Sequence, residues 1–415
     1  PSFQATREEM HSTRGRANLL RALFTSSLDT GENITEDDVF DALELCLACK
    51  GCKAECPSAV DLAKLKYEFL ERYYSHGRGH RHPVRDYLFA YLGSISRLGS
   101  VFNPITNYLL KNINQIGVGE RWLRLSNRRN LPQIAQKAFS PLSRNSIAPN
   151  IDIESNPEKV LFLSDPFTEY FQPGIGMAAL EVLAAVGCQI EIIPVIGSGR
   201  TLLSKGFVKS ARNHAQKVVD SITNLDSNSE AAIVGIEPSE IYTLRDEYVD
   251  LFPGREDVKA IADRAQMIDE FLIRPGYDGQ SRILRIAKLS RNPGSKAQEV
   301  LLHGHCYQKS QSPAKDGYPI GEHATVELLE RVGYEVKLID AGCCGMAGAF
   351  GYEAEHFDLS MSIGELALFP QVRNAHDQQI VAASGYSCIT QIRDGTGKDP
   401  CHPITLIQNR IYSSL

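Results

Sequence analysis

The sequence predicts a multidomain α+β protein with an N-terminal helical module, a basic helical linker and two duplicated α/β lobes. Three observations carry this prediction. Four of the ten cysteines, Cys46, Cys49, Cys52 and Cys56, fall within eleven residues. The second half alternates short apolar runs with helix-like stretches, the pattern of βαβ units. That half also repeats itself at an offset of about 146 residues.

A length of 415 residues allows two or three folded units, at roughly 150 residues per domain. With 43% hydrophobic and 23% charged residues, the composition excludes a disordered chain, a collagen-like repeat and a disulfide miniprotein. No apolar run reaches the ~18 residues of a membrane span, and no signal peptide opens the chain. The expectation is a cytoplasmic protein, soluble or peripheral to the inner face of the membrane. In a reducing compartment, clustered cysteines read as metal ligands rather than disulfides.

The first unit, residues 1–75, contains Cys46-Leu-Ala-Cys49-Lys-Gly-Cys52-Lys-Ala-Glu-Cys56-Pro57, or C-x2-C-x2-C-x3-C-P. This spacing wraps three thiolates round one iron–sulfur cube, and the proline sends the fourth thiolate away. Gly51 is expected to permit the tight turn. Zinc would want paired C-x2-C units some fifteen residues apart, and only one four-cysteine run is present. Cys46, Cys49 and Cys52 are therefore assigned to one [4Fe-4S] cluster and Cys56 to another. The companion motif is missing, and the chain opens Pro1-Ser-Phe, as if just past the last cysteine of such a motif. We expect a fragment.

Residues 76–150 form the linker. Between 72 and 144 there are 12 basic residues and only two acidic ones, Asp86 and Glu120, although the whole chain carries a net charge of -6. Tyr87, Leu88, Tyr91, Leu92, Ile95 and Leu98 recur at helical spacing, followed by Tyr108, Leu109 and Leu110. Such helices fit a bundle with basic solvent faces, or a surface that meets anionic lipid headgroups. Nucleic acid is not expected, because the chain is acidic overall and carries no recognition motif. Ser140 to Pro157 reads as a connecting loop.

The lobes are assigned to 158–292 and 298–415. In the first, Val160–Leu163, Gln189–Ile193 and Ala232–Ile236 read as strands and Met177–Ala185 as a helix. Glu181–Ile193 aligns with Glu327–Ile339, setting Gly197-Ser198 opposite Cys343-Cys344; Ser239–Asp246 aligns with Ser387–Asp394, setting Glu240 opposite Cys388. Val160 opposite Val300 sets Pro166 opposite Cys306. One lobe thus carries Cys306, Cys343, Cys344 and Cys388, whereas its twin carries Pro166, Gly197, Ser198 and Glu240. We expect one metal site where two once stood, in loops at strand ends where open α/β sheets bind ligands.

A Cys-Cys-Gly corner offers two thiolates from one turn, and Gly342, Gly345, Gly348 and Gly351 let backbone approach closely. An iron–sulfur centre is the favoured occupant, against zinc or a vestigial site. Gly174-Ile-Gly176 is a helix start, since it lacks the third glycine of a dinucleotide fingerprint. His303 and His305 flank Cys306 and either cap a strand end or serve the centre. Cys188 is expected in the core and Cys401 as a surface thiol.

These residues resemble a known family. The Cys-Cys-Gly lobe resembles the cysteine-rich CCG domains of the heterodisulfide reductase B subunit, the glycolate oxidase iron–sulfur subunit and the anaerobic glycerol-3-phosphate dehydrogenase C subunit. From Pro1-Ser-Phe-Gln through Cys343-Cys344-Gly345-Met-Ala-Gly-Ala-Phe-Gly351 to His402-Pro403-Ile404, the chain is similar to the C-terminal half of FAD-linked D-2-hydroxyacid dehydrogenases of the D-lactate and D-2-hydroxyglutarate type. The resemblance implies ferredoxin-type ligands at Cys46, Cys49, Cys52 and Cys56 and CCG ligands at Cys306, Cys343, Cys344 and Cys388. It further implies a flavin domain upstream in the same polypeptide and a quinone or cytochrome-linked acceptor. Two departures stand out: the usual C-x2-C ending of a CCG repeat is here Cys388-Ile-Thr-Gln391, and the first repeat has no ligands. The expected function is therefore an electron conduit within an oxidoreductase. The alternatives are a heterodisulfide or thiol reductase module and a non-catalytic zinc protein.

Overall fold

The computed structural model describes residues 1–25, 34–75, 79–113, 117–146, 157–276, 279, 281, 282, 285 and 297–412. Among the described residues, seven short strands build two parallel sheets: β1 (Glu158–Phe162), β2 (Cys188–Ile192), β3 (Ala232–Gly235), β4 (Ala265–Met267), β5 (Gln298–His303), β6 (Tyr334–Leu338) and β7 (Ile380–Ala383). The first sheet runs β2-β1-β3-β4 and the second β6-β5-β7. Cys401 makes a parallel bridge to Ala382 of β7, so it flanks β7 as β4 flanks β3. Both sheets thus share one strand order, with the first strand of each between the second and third, as the internal repeat requires.

Alternation along the central strands explains how two small sheets become one body. Successive side chains on a strand point to opposite faces. Val160 and Phe162 of β1 and Val300 and Leu302 of β5 join a single apolar core, which Ile404, Leu406 and Ile407 of the C-terminal helix Pro403–Tyr412 complete. Leu161 and Leu163 turn instead into a core centred on the first lobe, and Leu301 into one centred on the second. The helix Pro173–Ala185, which includes the Gly174-Ile-Gly176 segment, packs in the shared core.

The N-terminal module is helical. Thr35 caps the helix Glu36–Glu44: its Oγ1 accepts from Asp38 N at 3.2 Å, and its own N–H donates to Asp38 Oδ2 at 2.8 Å. Val39 and Leu43 then meet Leu20 and, from the helix Leu62–Ser75, Leu62, Phe69, Leu70 and Tyr73.

Two expectations about the linker are corrected here. Residues Phe139–Ser146 form a helix, anchored by Phe139, which is fully buried, so the connecting loop starts later than Ser140; residues 147–156 lie outside the described residues. The helices Val84–Ala90, Leu92–Val101 and Asn103–Asn112 exist as the apolar spacing demands, yet much of that apolar surface faces outward. Leu98, Val101 and Trp122 are 68%, 71% and 74% exposed, which is far beyond ordinary scatter for a helix packed in a bundle. Among the described residues, no helix is long and apolar enough to cross a membrane.

Candidate metal centre

The loop from Cys46 to Cys52 is tight, but not through Gly51. Ala48 (φ 49°) and Lys50 (φ 59°) take the left-handed conformation, while Gly51 opens the helix Gly51–Glu55 and gives its N–H to the Cys49 sulfur. Cys46, Cys49 and Cys52 act on one another electrostatically, and all three lie within reach of the buried Arg16 guanidinium. Arg16 is fixed by bonds from Nε to Ala42 O (2.7 Å) and from Nη2 to Ser2 Oγ (2.8 Å). Burial pushes the Cys49 thiol up to about 11, with the neighbouring Cys306 adding to the shift.

Cys56 is set apart. The backbone N–H groups of Val60, Ser58 and Ala59 lower its pKa, the arrangement that favours an exposed thiolate.

In the second lobe, the four cysteines come together at the strand ends. A chain of thiol contacts runs from Cys306 to Cys343, on to Cys344 and then to Cys388. Cys343, Cys344 and Cys388 are buried. Gly345 makes the corner: its φ is +95°, a Cβ there would sit 2.3 Å from Ser360 O, and its N–H donates to Cys343 Sγ at 3.4 Å. His305 caps the helix Cys306–Lys309, its Nδ1 accepting from Tyr307 N at 3.1 Å. His303 is fully buried with both ring nitrogens unpartnered, and burial holds its pKa well below the usual histidine value.

The aligned positions of the first lobe converge in the same way without any sulfur. A Cβ on Gly197 would lie 2.9 Å from Pro166 Cδ and 3.2 Å from Glu240 Oε2. Glu240 Oε2 accepts from Ser198 N (2.6 Å) and Ser198 Oγ (2.5 Å). Pro166, Gly197, Ser198 and Glu240 therefore retain the clustering of Cys306, Cys343, Cys344 and Cys388, with carboxylate and hydroxyl in place of thiols.

Gln391, standing where the resemblance would put a further cysteine, is fully buried and tied on both sides. Its Nε2 donates to Ser360 O at 3.0 Å and its Oε1 accepts from Arg129 Nη2 at 2.8 Å. Arg129, grouped by the sequence with the basic linker surface, is buried and also pairs with Asp394 at 3.1 Å. Cys188 packs on the shared core as expected. Cys401 is a correction: it is half-buried beside β7, packs on the same core and donates to Val381 O, so it is no surface thiol.

The two cysteine sets meet across one cavity of about 510 Å³, whose walls include Cys46, Cys306, Cys343 and Cys344 with Lys66 and Arg200. Cys49 acts electrostatically on both Cys306 and Cys343. Lys66 Nζ donates to Cys46 O at 2.7 Å, and burial pushes its pKa down to about 8. Among the described residues, no three His, Cys, Asp or Glu side chains close on a single-ion site. Clustered thiols beside a cavity that Lys66 and Arg200 also line suit an anionic sulfur-ligated group, and the residues fit an iron–sulfur centre.

Sequence inspection missed the cations. Arg200 directly follows Gly197-Ser198-Gly199, the segment aligned with Cys343-Cys344-Gly345, so the repeat itself carried a signal for it. Arg16 and Lys66 stand far from any motif and carried none.

The site thus defines a class: a thiol-lined cavity at the carboxyl ends of parallel strands, with the donor set of a soft-metal site. Particular relatives share the chain's sequence. It is 24% identical to a D-2-hydroxyglutarate dehydrogenase of Pantoea ananatis and 25% identical to that of Escherichia coli, in each case over 97% of this chain and 41% of the relative. It is 26% identical to the C subunit of the anaerobic glycerol-3-phosphate dehydrogenase of Escherichia coli, over 79% of this chain and 77% of that relative. The chain spans about two fifths of the D-2-hydroxyglutarate dehydrogenases it matches. No family model matches it. All three relatives are dehydrogenase proteins by name, which supports an oxidoreductase.

Proposed function

We propose that this chain is the iron–sulfur, electron-transferring part of a flavin-linked D-2-hydroxyacid dehydrogenase, with D-lactate or D-2-hydroxyglutarate as the substrate class. One observation supports the reading most: Cys46 of the C-x2-C-x2-C loop lines the same cavity as Cys306, Cys343 and Cys344 of the second lobe, and Cys49 interacts electrostatically with Cys306 and Cys343. Two ligand sets that close would let an electron pass between their centres without crossing solvent.

Cys46, Cys49 and Cys52 would hold one [4Fe-4S] cluster, Cys56 would serve a neighbouring one, and Cys306, Cys343, Cys344 and Cys388 would hold the second-lobe centre. Bound clusters supply one-electron redox chemistry. This chain's own residues do the rest. Leu47, Phe350 and Ile363 pack with Cys343 and give its surroundings an apolar side. Arg16 lowers the cost of negative charge on the loop thiolates, and the Gly51 and Gly345 N–H groups hydrogen-bond their sulfurs. Electrons would enter from an upstream flavin domain of the same polypeptide and leave to a quinone or cytochrome-linked acceptor. The units proposed are a ferredoxin-type module over 1–75, the linker over 76–150, a ligand-free CCG lobe over 158–292 and a CCG lobe over 298–415.

The linker's exposed apolar residues, with Arg97, Lys111 and Arg121 exposed among them, form the face we assign to peripheral contact with an anionic membrane. Liposome flotation tests this: equal partitioning of wild type and an Arg97/Lys111/Arg121 charge-removed variant would argue against it. The central reading is tested by anaerobic reconstitution, iron and acid-labile sulfide analysis, and electron paramagnetic resonance after reduction. A colourless chain without iron would sink it.

A further inference from the structure

The first lobe keeps its packing and has no thiol at its aligned corner, yet that corner is not featureless. Gly197 (φ +72°) and Gly199 (φ +86°) bend it, and it ends on Arg200, the first residue of the helix Arg200–Ser204. Arg200 lines the same cavity as Cys46, Cys306, Cys343 and Cys344. Its guanidinium lies over two rings, 5.0 Å from the centroid of Tyr67 and 5.4 Å from that of Tyr307, the neighbour of Cys306. Two of its nitrogens, Nε and Nη1, are buried and have no hydrogen-bond partner.

The nearest carboxylates, Glu240 and Glu247, act on Arg200 electrostatically without accepting from its Nε or Nη1. Glu240 is held by Ser198 N and Oγ, and Glu247 pairs with Lys50 Nζ at 2.6 Å. Tyrosine faces stabilise a cation but do not satisfy its N–H groups. Buried guanidinium N–H groups left unpaired are costly, and an anion that accepts from them offsets that cost. Cys46, Cys306, Cys343 and Cys344 line the same cavity, so an anionic group held by those thiols is placed to meet Arg200.

We propose that Arg200 is the cationic hydrogen-bond donor to the sulfur-ligated centre in this cavity. The cysteine-free lobe would then tune what its twin binds, using one corner to present a cation where the other presents two thiolates. Arg200 is a positioning and tuning residue, and this inference rests on the iron–sulfur reading above. A nearby positive charge and N–H donors to sulfur favour the reduced, more negative state of a cluster, which raises its reduction potential.

The test compares anaerobically reconstituted wild-type chain with Arg200→Met and Arg200→Lys. Iron and sulfide per chain, circular dichroism, and a potentiometric titration followed by paramagnetic resonance are measured on each. The expected result is a midpoint potential shifted negative in Arg200→Met and lying between the two in Arg200→Lys. Loss of iron by a folded Arg200→Met, with iron kept by Arg200→Lys, would equally support a cation requirement. Wild-type iron content with an unchanged potential in Arg200→Met would overturn the proposal, as would loss of iron by both folded variants. Should Arg200→Met fail to fold, an unchanged potential in Arg200→Lys overturns it and a negative shift supports it. Absence of iron from the wild type is a different result, since it removes the iron–sulfur reading itself.

Discussion

Lys50, in the middle of the first cysteine loop, places its Nζ 2.5 Å from Asp246 Oδ2 of the first lobe, almost 200 positions along the chain. Glu247 Oε1 lies 2.6 Å and Asp61 Oδ2 3.5 Å from the same Nζ, and the Lys50 side chain is 1% exposed. Asp246 also accepts from Lys53 and Lys64, each at 2.8 Å. The loop that would hold a cluster is thus bolted to the ligand-free lobe by buried charge.

Breaking that junction should be costly. Removing one partner of a buried ion pair typically costs about 3 to 5 kcal/mol, because the other charge is left uncompensated. Asp246→Asn leaves Glu247 near Lys50, so the lower end, about 3 kcal/mol, is expected. Urea denaturation of wild type and variant measures it, and a difference below about 0.5 kcal/mol would refute the assignment.

The second-lobe corner should tolerate no side chain at Gly345. A Cβ would meet Ser360 O at 2.3 Å, with φ at +95°. Left-handed strain plus a backbone clash makes Gly345→Ala destabilising by about 2 to 4 kcal/mol. Thermal melting should show it. Gly342→Ala, where a Cβ has nothing within 4 Å, should melt near wild type.

Acid sensitivity should trace partly to His402. Burial pushes its pKa down to about 4, against the hydrogen bond from its Nε2 to Ile236 O at 3.4 Å. Between about pH 6.5 and 4 the unfolded chain binds a proton that the native chain refuses. Stability is therefore complete above about pH 6.5 and falls as the pH drops, by about 2 to 3 kcal/mol at the lower limit. Denaturation curves at pH 7 and 4.5 should converge for His402→Gln more than for wild type; parallel losses would count against this.

Iron content should discriminate among the cysteines. Serine at Cys46, Cys49, Cys306, Cys343 or Cys344 is expected to lower iron per chain after reconstitution. Cys188→Ala and Cys401→Ala should leave it unchanged, because both pack on the apolar core and stand apart from the cavity. Loss of iron from the core variants alone would contradict the ligand assignment.

Arg129 offers a further mechanical test. Arg129→Met leaves the Gln391 carbonyl without its guanidinium partner in a buried setting and unpairs Asp394. A loss of about 2 to 4 kcal/mol is expected by denaturant titration.

Much of the metal centre was legible because its information is local. C-x2-C-x2-C-x3-C-P encodes a loop shape, and the internal repeat identified which residues of each lobe would cluster, down to Glu240 against Ser198. Strand positions were legible for the same reason: the continuous apolar run Val160–Leu163 marks a buried strand in consecutive residues. Errors arose where neighbours distant in sequence decide. Phe139 made a helix of an apparent connector by packing beneath Phe162, and Arg129 left the basic surface because Gln391 and Asp394 receive it.

The sequence by itself determined the spacing of the thiols, their soft-donor character and the duplication that relates the lobes. Only the tertiary structure decided that the two cysteine sets face one cavity, that Lys50 locks their loop to the lobe without ligands, and that Arg16, Lys66 and Arg200 stand around the thiols. The reason is physical. Spacing along a chain constrains only neighbours a few residues apart, whereas charge pairing and burial depend on distance in space, which is set when the whole core closes.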